Sequence, residues 1–171
     1  ISALDRDVSR AVRTREPIAL MMVDIDHFKR VNDRYGHPVG DKVLCSVVDV
    51  LRERVRSQDL VGRYGGEEFM VLLPDTTAKG GYLLAQQLCE AVQALHLEHE
   101  GQPIPVTVSI GVYGGRLQPG DHWDMLISAA DRALYEAKDR GRNRVEVVEA
   151  LRRPASLVTA NSGPETQPAL F

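Results

Sequence analysis

Residues 18–26 have the sequence IALMMVDID, and this stretch decides the predicted fold. The apolar run from Ile18 to Val23 has the length of one strand and is far too short to span a membrane. A continuous apolar run is typical of a central strand that is covered on both faces. Asp24 and Asp26 follow directly, so we expect two carboxylates where this strand leaves the core.

Helical and strand patterns alternate around this strand. Apolar residues at helical spacing predict helices over 1–15, 27–34 and 41–56, one after a cap at 75–77, and one over about 125–137. Further strands are predicted over 60–64, 69–73, 103–112 and 145–148, and a loop over 36–40. The fold class is therefore α/β (α+β), with a central mixed sheet surrounded by helices.

A Gly-Gly pair, Gly65-Gly66, separates two of the predicted strands. Such pairs are favoured in two-residue hairpin turns, so we expect a tight antiparallel hairpin with Glu67 and Glu68 just past its tip. Because side chains alternate along a strand, these two glutamates should point to opposite faces.

The composition limits the function classes. The chain has 171 residues, a formal net charge of −3 and two cysteines, which excludes a disulfide scaffold and a broad basic surface for nucleic acid. We expect one domain over 1–150. Residues 151–171 contain prolines but no apolar period, which is typical of a tail.

Carboxylates and cations recur at separate places in the chain. The Asp24–Asp26 stretch and the Glu67-Glu68 pair supply oxygen ligands of the kind that Mg²⁺ takes together with substrate phosphates. Three cations accompany them: Lys29, Lys138 and Arg142. Any one of these carboxylates alone is more simply a solvated turn residue or a helix cap. Together they indicate a metal–phosphate site.

The stretch GGEEF at 65–69 resembles the signature of the GGDEF family, the diguanylate cyclases. Other motifs resemble the family in the same order and spacing: DIDHFKRVND (24–33), Gly36-His37, Gly40-Asp41, VSIG (108–111) and ALYEAKDRGRN (133–143). The resemblance covers about residues 1–148. It implies a largely antiparallel sheet similar to class III nucleotide cyclases and polymerase palms.

The resemblance implies a role for each matching position at the metal. Asp24 and Glu67 match the metal carboxylates, and Ile25 matches the residue whose carbonyl also meets the metal. Glu67 further matches the base for the attacking hydroxyl, and Glu68 a position needed for activity. The implied cofactor is Mg²⁺, with Mn²⁺ as an alternative ion.

The same resemblance implies the substrate contacts. Asn32 and Asp41 match the residues that contact the guanine edge, and His37 matches another substrate contact. Phosphate-binding cations are matched by Lys29, Lys138 and Arg142. The implied reaction joins two GTP into cyclic di-GMP with release of two pyrophosphates, in a homodimer whose two sites face each other.

A second motif, Arg56-Ser57-Gln58-Asp59, resembles the family's inhibitory RxxD. It implies that Arg56 and Asp59 bind product cyclic di-GMP and cause feedback inhibition. Without the resemblance, the same residues are a common helix end and loop start.

Other expectations concern the whole protein. The family's usual segment resembling DxLTGLxNRR is missing at the start, so we expect an N-terminally truncated domain whose parent carries an upstream sensory or regulatory domain. The resemblance implies a bacterial, cytoplasmic domain without membrane contact of its own, although the parent could be membrane-anchored upstream. The competing interpretation is a catalytically silent GGDEF domain that acts as a cyclic di-GMP or GTP receptor.

Overall fold

The computed structural model describes residues 2–154 of the chain. Five helices are α1 (Ser2–Thr14), α2 (Phe28–Tyr35), α3 (His37–Arg54), α4 (Ala78–Gln93) and α5 (Trp123–Asp139). The strands are β1 (Ile18–Ile25), β2 (Leu60–Arg63), β3 (Glu68–Pro74), β4 (Leu97–His99), β5 (Gln102–Ile104), β6 (Val108–Gly115) and β7 (Val145–Val148). Most lie within a few residues of the positions that the sequence predicts.

The main sheet has five strands in the order β2-β3-β1-β6-β7. Every neighbouring pair is antiparallel except β6 and β7, which are parallel. β1 is the central strand and is buried along its whole length. The structure therefore confirms the predicted mixed, largely antiparallel sheet surrounded by helices.

The two faces of the sheet carry different helices. Odd-numbered residues of β1, such as Met21 and Val23, lie in a core cluster with residues of α3 and α4. Even-numbered residues, such as Leu20 and Met22, lie in a second cluster with residues of α1 and α5. This alternation continues past the apolar run, so it places the side chain of Asp24 on the α5 face.

Gly111 allows α5 to pack closely on β6. A Cβ at this position would overlap backbone atoms of α5 and would lie 2.7 Å from Leu134 Cα. Because those atoms belong to helix backbone, they could move only with the helix itself. The glycine thus sets the height of α5 above the sheet, and with it the position of Lys138 one turn after Leu134.

One loop prediction is wrong. Residues 36–40 are not a loop: Gly36, with φ 92°, ends α2, and α3 begins at His37 with Pro38 in its first turn. Proline fits there because the first helical N–H groups have no partner within the helix.

The predicted strand over 103–112 is also wrong. Its first part, β5, pairs with β4 in a separate two-stranded hairpin, and β6 begins at Val108. Pro103 and Pro105 interrupt the run because proline has no N–H to donate to a sheet. The second part is fully buried, whereas the alternation indicated a half-buried strand.

The Gly65-Gly66 connection is longer than predicted. β2 and β3 are antiparallel as expected, but four residues, 64–67, separate them. Neither glycine has a positive φ, so the turn is not the two-residue type that a Gly-Gly pair favours.

The described residues at the end of the chain pack against the domain. Leu151 is buried in the α1–α5 cluster, and Arg153 donates to both oxygens of buried Asp121, each at 2.7 Å. The folded part thus includes residues 151–154 of the segment predicted to be a tail. Residues 155–171 lie outside the described range. Within residues 2–154, no helix combines the length and the apolar character that crossing a membrane requires.

Replacing Arg153 by alanine should lower the free energy of unfolding by about 2 kcal/mol, because Asp121 would stay buried without its cation. The neighbouring Arg152 is exposed, so Arg152→Ala is the matched control and should change stability little. Urea denaturation measures both. Equal effects of the two variants would contradict a specific role for the ion pair.

Candidate active site

Asp24 is a buried carboxylate whose two oxygens have different surroundings. Its Oδ2 forms an ion pair with Lys138 Nζ of α5, whereas its Oδ1 is buried without a hydrogen-bond partner. Burial raises the pKa of Asp24, and Lys138 opposes that rise. The charges of Glu67 and Asp26 raise this pKa further. An unpartnered buried oxygen on a carboxylate is a binding position for a cation or a donor.

The register of β1 and β3 brings a second carboxylate beside it. Glu68 lies directly opposite Asp24, so both side chains share the α5 face with Cβ atoms about 5 Å apart. Burial raises the pKa of Glu68, and the charge of Asp24 raises it further. The two carboxylates therefore destabilise each other's charged form, which favours binding of a cation between them.

Glu67 is the last residue of the loop before β3, and its charge raises the pKa of both Asp24 and Glu68. Ile25 N–H donates to the Glu67 carbonyl at 3.2 Å, which places these two residues across from each other. Because Glu67 lies outside β3, the expectation that Glu67 and Glu68 point to opposite faces stays a prediction. Ile25, Glu67 and Glu68 are thus all held at the end of β1, next to Asp24.

Arg63 holds the loop that carries Glu67. Its guanidinium donates to the carbonyls of both glycines, at 3.2 Å to Gly65 and 2.6 Å to Gly66. The backbone of Tyr64 also donates to the Glu68 carbonyl, at 2.8 Å. Arg63 is not among the residues that the sequence motifs predict, although an arginine two residues before a Gly-Gly pair is a signal for this kind of loop contact.

Asp26 is not available as a ligand, although it follows Asp24 on the same face. Its Oδ1 accepts from Ser109 Oγ at 2.7 Å, and its Oδ2 accepts from Thr107 Oγ1 at 2.7 Å and from the Asn143 N–H at 3.0 Å. Both oxygens of Asp26 therefore already accept hydrogen bonds from the protein. Of the two carboxylates at the end of β1, only Asp24 has an oxygen without a partner.

The contact between Asp26 and Asn143 fixes the loop after α5. Arg142 and Asn143 both have left-handed backbones, with φ 64° and 48°. Such a conformation is unfavourable for residues with a side chain and persists only where surrounding contacts hold it. Asp26 supplies one of these contacts, and the Arg142 N–H supplies another by donating to the Ala137 carbonyl at 2.9 Å. Asp26 thereby ties the strand of Asp24 to the loop of Arg142.

Replacing Asp26 by alanine should lower the free energy of unfolding by about 3 kcal/mol, because three donors lose their acceptor. Asp33→Ala is the control: Asp33 is a surface carboxylate that pairs only with Lys29, and its loss should change stability by about 0.5 kcal/mol or less. Chemical denaturation compares the two variants. Equal small losses would show that the Asp26 contacts contribute nothing.

The predicted base-contacting residues lie around the junction of α2 and α3. Asn32 is on α2, and its Oδ1 is buried without a hydrogen-bond partner. His37 is the exposed first residue of α3, and exposed Asp41 follows one turn later. Further along α3, this helix and β2 border a groove of about 300 Å³.

Lys29 is not brought to the carboxylates. It pairs with Asp33 at 3.1 Å on the surface of α2, with 87% of its side chain exposed. Of the three predicted phosphate-binding cations, only Lys138 contacts a site carboxylate directly.

The residues at the end of β1 fit a divalent ion that is bound by few protein ligands. Within residues 2–154, no group of three or more His, Cys, Asp or Glu side chains is arranged to hold a metal. Asp24 nonetheless offers an unpartnered oxygen, with Glu68 opposite it. Mg²⁺ is typically bound by one or two carboxylates together with water and substrate phosphates. The donor set fits such an ion.

Asp131 is a further carboxylate near the site that the sequence motifs do not predict. It lies on α5 two turns before Lys138, and its charge contributes to the raised pKa of Glu68. The seven-residue spacing from Lys138, which places both on one helix face, was the available signal.

The RxxD motif forms a compact ion pair at the end of α3. Arg56 donates to Asp59 through Nη2 at 2.9 Å and Nε at 3.3 Å, and Asp59 also accepts from the Arg56 N–H at 2.7 Å. Arg56 Nη2 further donates to the Pro74 carbonyl and to Thr76 Oγ1, both at 2.8 Å. The two predicted product-binding residues thus contact each other, and Thr76 is a third residue of this hydrogen-bonded cluster.

Comparison with known proteins agrees with this fold. The family model of the diguanylate cyclase GGDEF domain matches residues 1–144. The chain belongs to the GGDEF domain family, which confirms the resemblance that its motifs indicated.

Two curated relatives show the extent of the similarity. Diguanylate cyclase DgcP of Pseudomonas aeruginosa is 41% identical over 144 residues, which cover 84% of this chain and 21% of that protein. Response regulator PleD of Caulobacter vibrioides is 39% identical over 144 residues, covering 83% and 32%. The chain therefore spans about a fifth to a third of the length of these relatives.

Solved structures agree equally well. The GGDEF domain of DgcB from Caulobacter crescentus, in complex with c-di-GMP, has a TM-score of 0.81 at 33% identity and covers 85% of this chain and 86% of that one. The active GGEEF domain of a diguanylate cyclase from Vibrio cholerae has a TM-score of 0.79 at 31% identity, covering 87% and 94%.

Proposed function

We propose that this domain is a diguanylate cyclase that condenses two GTP into cyclic di-GMP and two pyrophosphates. The observation that carries the proposal is the pairing of Asp24 with Glu68 across two strands, with one Asp24 oxygen unpartnered and Lys138 on the other. Family membership and relatives that are named diguanylate cyclases support it.

Asp24, the Ile25 carbonyl and Glu67 are the proposed metal contacts, and Glu68 is next to them. Mg²⁺, or Mn²⁺ in its place, would neutralise charge on the triphosphate and favour ionisation of the attacking hydroxyl. In the free chain Lys138 forms an ion pair with Asp24. When substrate binds, it can donate hydrogen bonds to the phosphates instead. Arg142, in the loop fixed by Asp26, is a second phosphate contact.

Lys29 is the third proposed phosphate contact. Its pair with Asp33 is exposed, and such pairs contribute only about 0.5 kcal/mol, so a triphosphate can displace Asp33.

In the bond-forming step, the 3′-oxygen of one nucleotide attacks the α-phosphorus of the other, and pyrophosphate leaves. Glu67 accepts the proton that the attacking 3′-hydroxyl loses. Since one site binds one GTP, two copies of the domain must face each other about a two-fold axis. Asn32, His37 and Asp41 contact the base, and the carboxylate of Asp41 accepts from the N1–H and amino group of guanine.

The activity test uses two neutral isosteres, Asp24→Asn and Glu67→Gln. Each should reduce formation of cyclic di-GMP from GTP and Mg²⁺ at least about 100-fold, because the charge that holds the ion or accepts the proton is lost. Chromatography of the nucleotides measures the product.

Glu53→Gln, on the exposed surface of α3, is the control and should retain full activity. Wild-type chain that binds cyclic di-GMP or GTP tightly without turnover would instead support the silent receptor. Activity of the two site variants equal to the control would contradict the proposed roles.

We further propose product inhibition at Arg56 and Asp59. Arginine can donate two parallel hydrogen bonds to the acceptors of guanine, and a carboxylate can accept from its donors. The solved DgcB domain in complex with c-di-GMP supports binding of this ligand in the family. In the free chain the two residues bind each other, so the ligand has to compete with that pair.

Arg56→Ala should weaken binding of cyclic di-GMP about tenfold or more, since it removes a charged donor. Arg54→Ala is the control, because Arg54 is an exposed arginine two residues earlier, at the end of α3. Isothermal titration with cyclic di-GMP gives both affinities. An unchanged isotherm for Arg56→Ala would defeat the proposed site.

The setting of the domain is also a proposal. We place it in the bacterial cytoplasm, as part of a longer protein whose upstream domain brings two copies together. One relative is named a response regulator, and one solved diguanylate cyclase, SiaD, is in complex with its activator SiaC. Both support control by another domain or protein.

A further inference from the structure

Gly40 is a buried glycine within α3. Its backbone conformation does not require a glycine. Its φ is not in the left-handed region that favours glycine. Alanine is a much better helix former than glycine at such a position. The reason for a glycine must therefore lie in the space beside it.

That space is filled by the side chain of Asn32. A Cβ on Gly40 would overlap Asn32 Oδ1 and would lie 2.9 Å from Asn32 Cγ and 3.3 Å from Phe28 Cζ. Real Cβ atoms essentially never come as close to another heavy atom as this one would to the two Asn32 atoms. The carboxamide of α2 thus rests directly on the backbone of α3.

The amide held in this way has an unmet hydrogen bond. Asn32 Oδ1 is buried and has no partner, whereas buried acceptors in proteins are nearly always paired. Gly40, Leu44 and Val48 follow one another at four-residue spacing on α3, and the last two line the groove between α3 and β2. Gly40 therefore lies one turn before the first α3 residue that lines the groove, and the unpaired Asn32 oxygen rests on it there.

We propose that Gly40 is a positioning residue for recognition of the base. By lacking a side chain, it holds the Asn32 amide in the orientation in which Oδ1 accepts from the exocyclic amino group of guanine. This inference rests on the proposed function, and it adds a residue that, together with Asp41, sets the preference for guanine over a base without that amino group.

The geometry separates this role from a packing role. The atom that a Cβ would displace is the far end of a flexible side chain, so the fold can accommodate alanine by rotation of Asn32. Helix propensity also favours alanine. Gly40→Ala should therefore keep its thermal stability and lose base recognition.

The test measures binding of non-hydrolysable analogues of guanosine and inosine triphosphate by calorimetry, since inosine lacks the amino group. In Gly40→Ala, the preference for the guanosine analogue should fall about tenfold, as expected for one lost hydrogen bond. Gly80→Ala is the matched control, because Gly80 lies in the first turn of α4, where a Cβ would come no closer than 3.1 Å, to a methyl group. It should leave the preference unchanged.

A double substitution gives the second measurement. In an Asn32→Ala background the amide is gone, so Gly40→Ala should change the preference less than twofold. An unchanged preference in Gly40→Ala, a full further loss in the double variant, or a melting temperature far below that of Gly80→Ala would each overturn the inference. If the wild-type chain binds neither analogue, the proposed function itself fails, and this inference with it.

Discussion

The burial of Asp24 beside other carboxylates is the constraint on which the site depends. A carboxylate in this position is unfavourable unless a cation compensates it, and in the free chain Lys138 does so. That pairing requires α5 to lie close above the sheet, which Gly111 permits. The central strand, the close helix and the lysine therefore form one arrangement, in which a polyanion with its metal can replace the internal ion pair.

The rest of the site is held by contacts that are separate from this pair. Asp26 joins the end of β1 to β6 and to the loop of Arg142 through hydrogen bonds that leave it no free oxygen. Arg63 gathers the glycine carbonyls of the GGEEF loop. Such support fixes the reacting groups before substrate arrives, and phosphoryl chemistry depends mainly on positioning and charge compensation.

The sequence predicts the central strand, the hairpin and the positions of the carboxylates, because apolar runs and charged motifs are local signals. It does not distinguish Asp24 from Asp26, since both follow the same strand on the same face and differ only in distant partners such as Asn143. It also cannot place Glu68 opposite Asp24, because that register depends on a four-residue loop that a Gly-Gly pair does not predict. Lys29 matched a motif but points to solvent, since a motif does not fix a rotamer.

The most direct measurement is anomalous diffraction from crystals of this chain grown with Mn²⁺ and a non-hydrolysable GTP analogue. An anomalous peak bonded to Asp24, with Lys138 moved from the carboxylate to the phosphates, is the predicted result. Clear density for the nucleotide with no ion beside Asp24, and with the Lys138–Asp24 pair intact, would contradict the account.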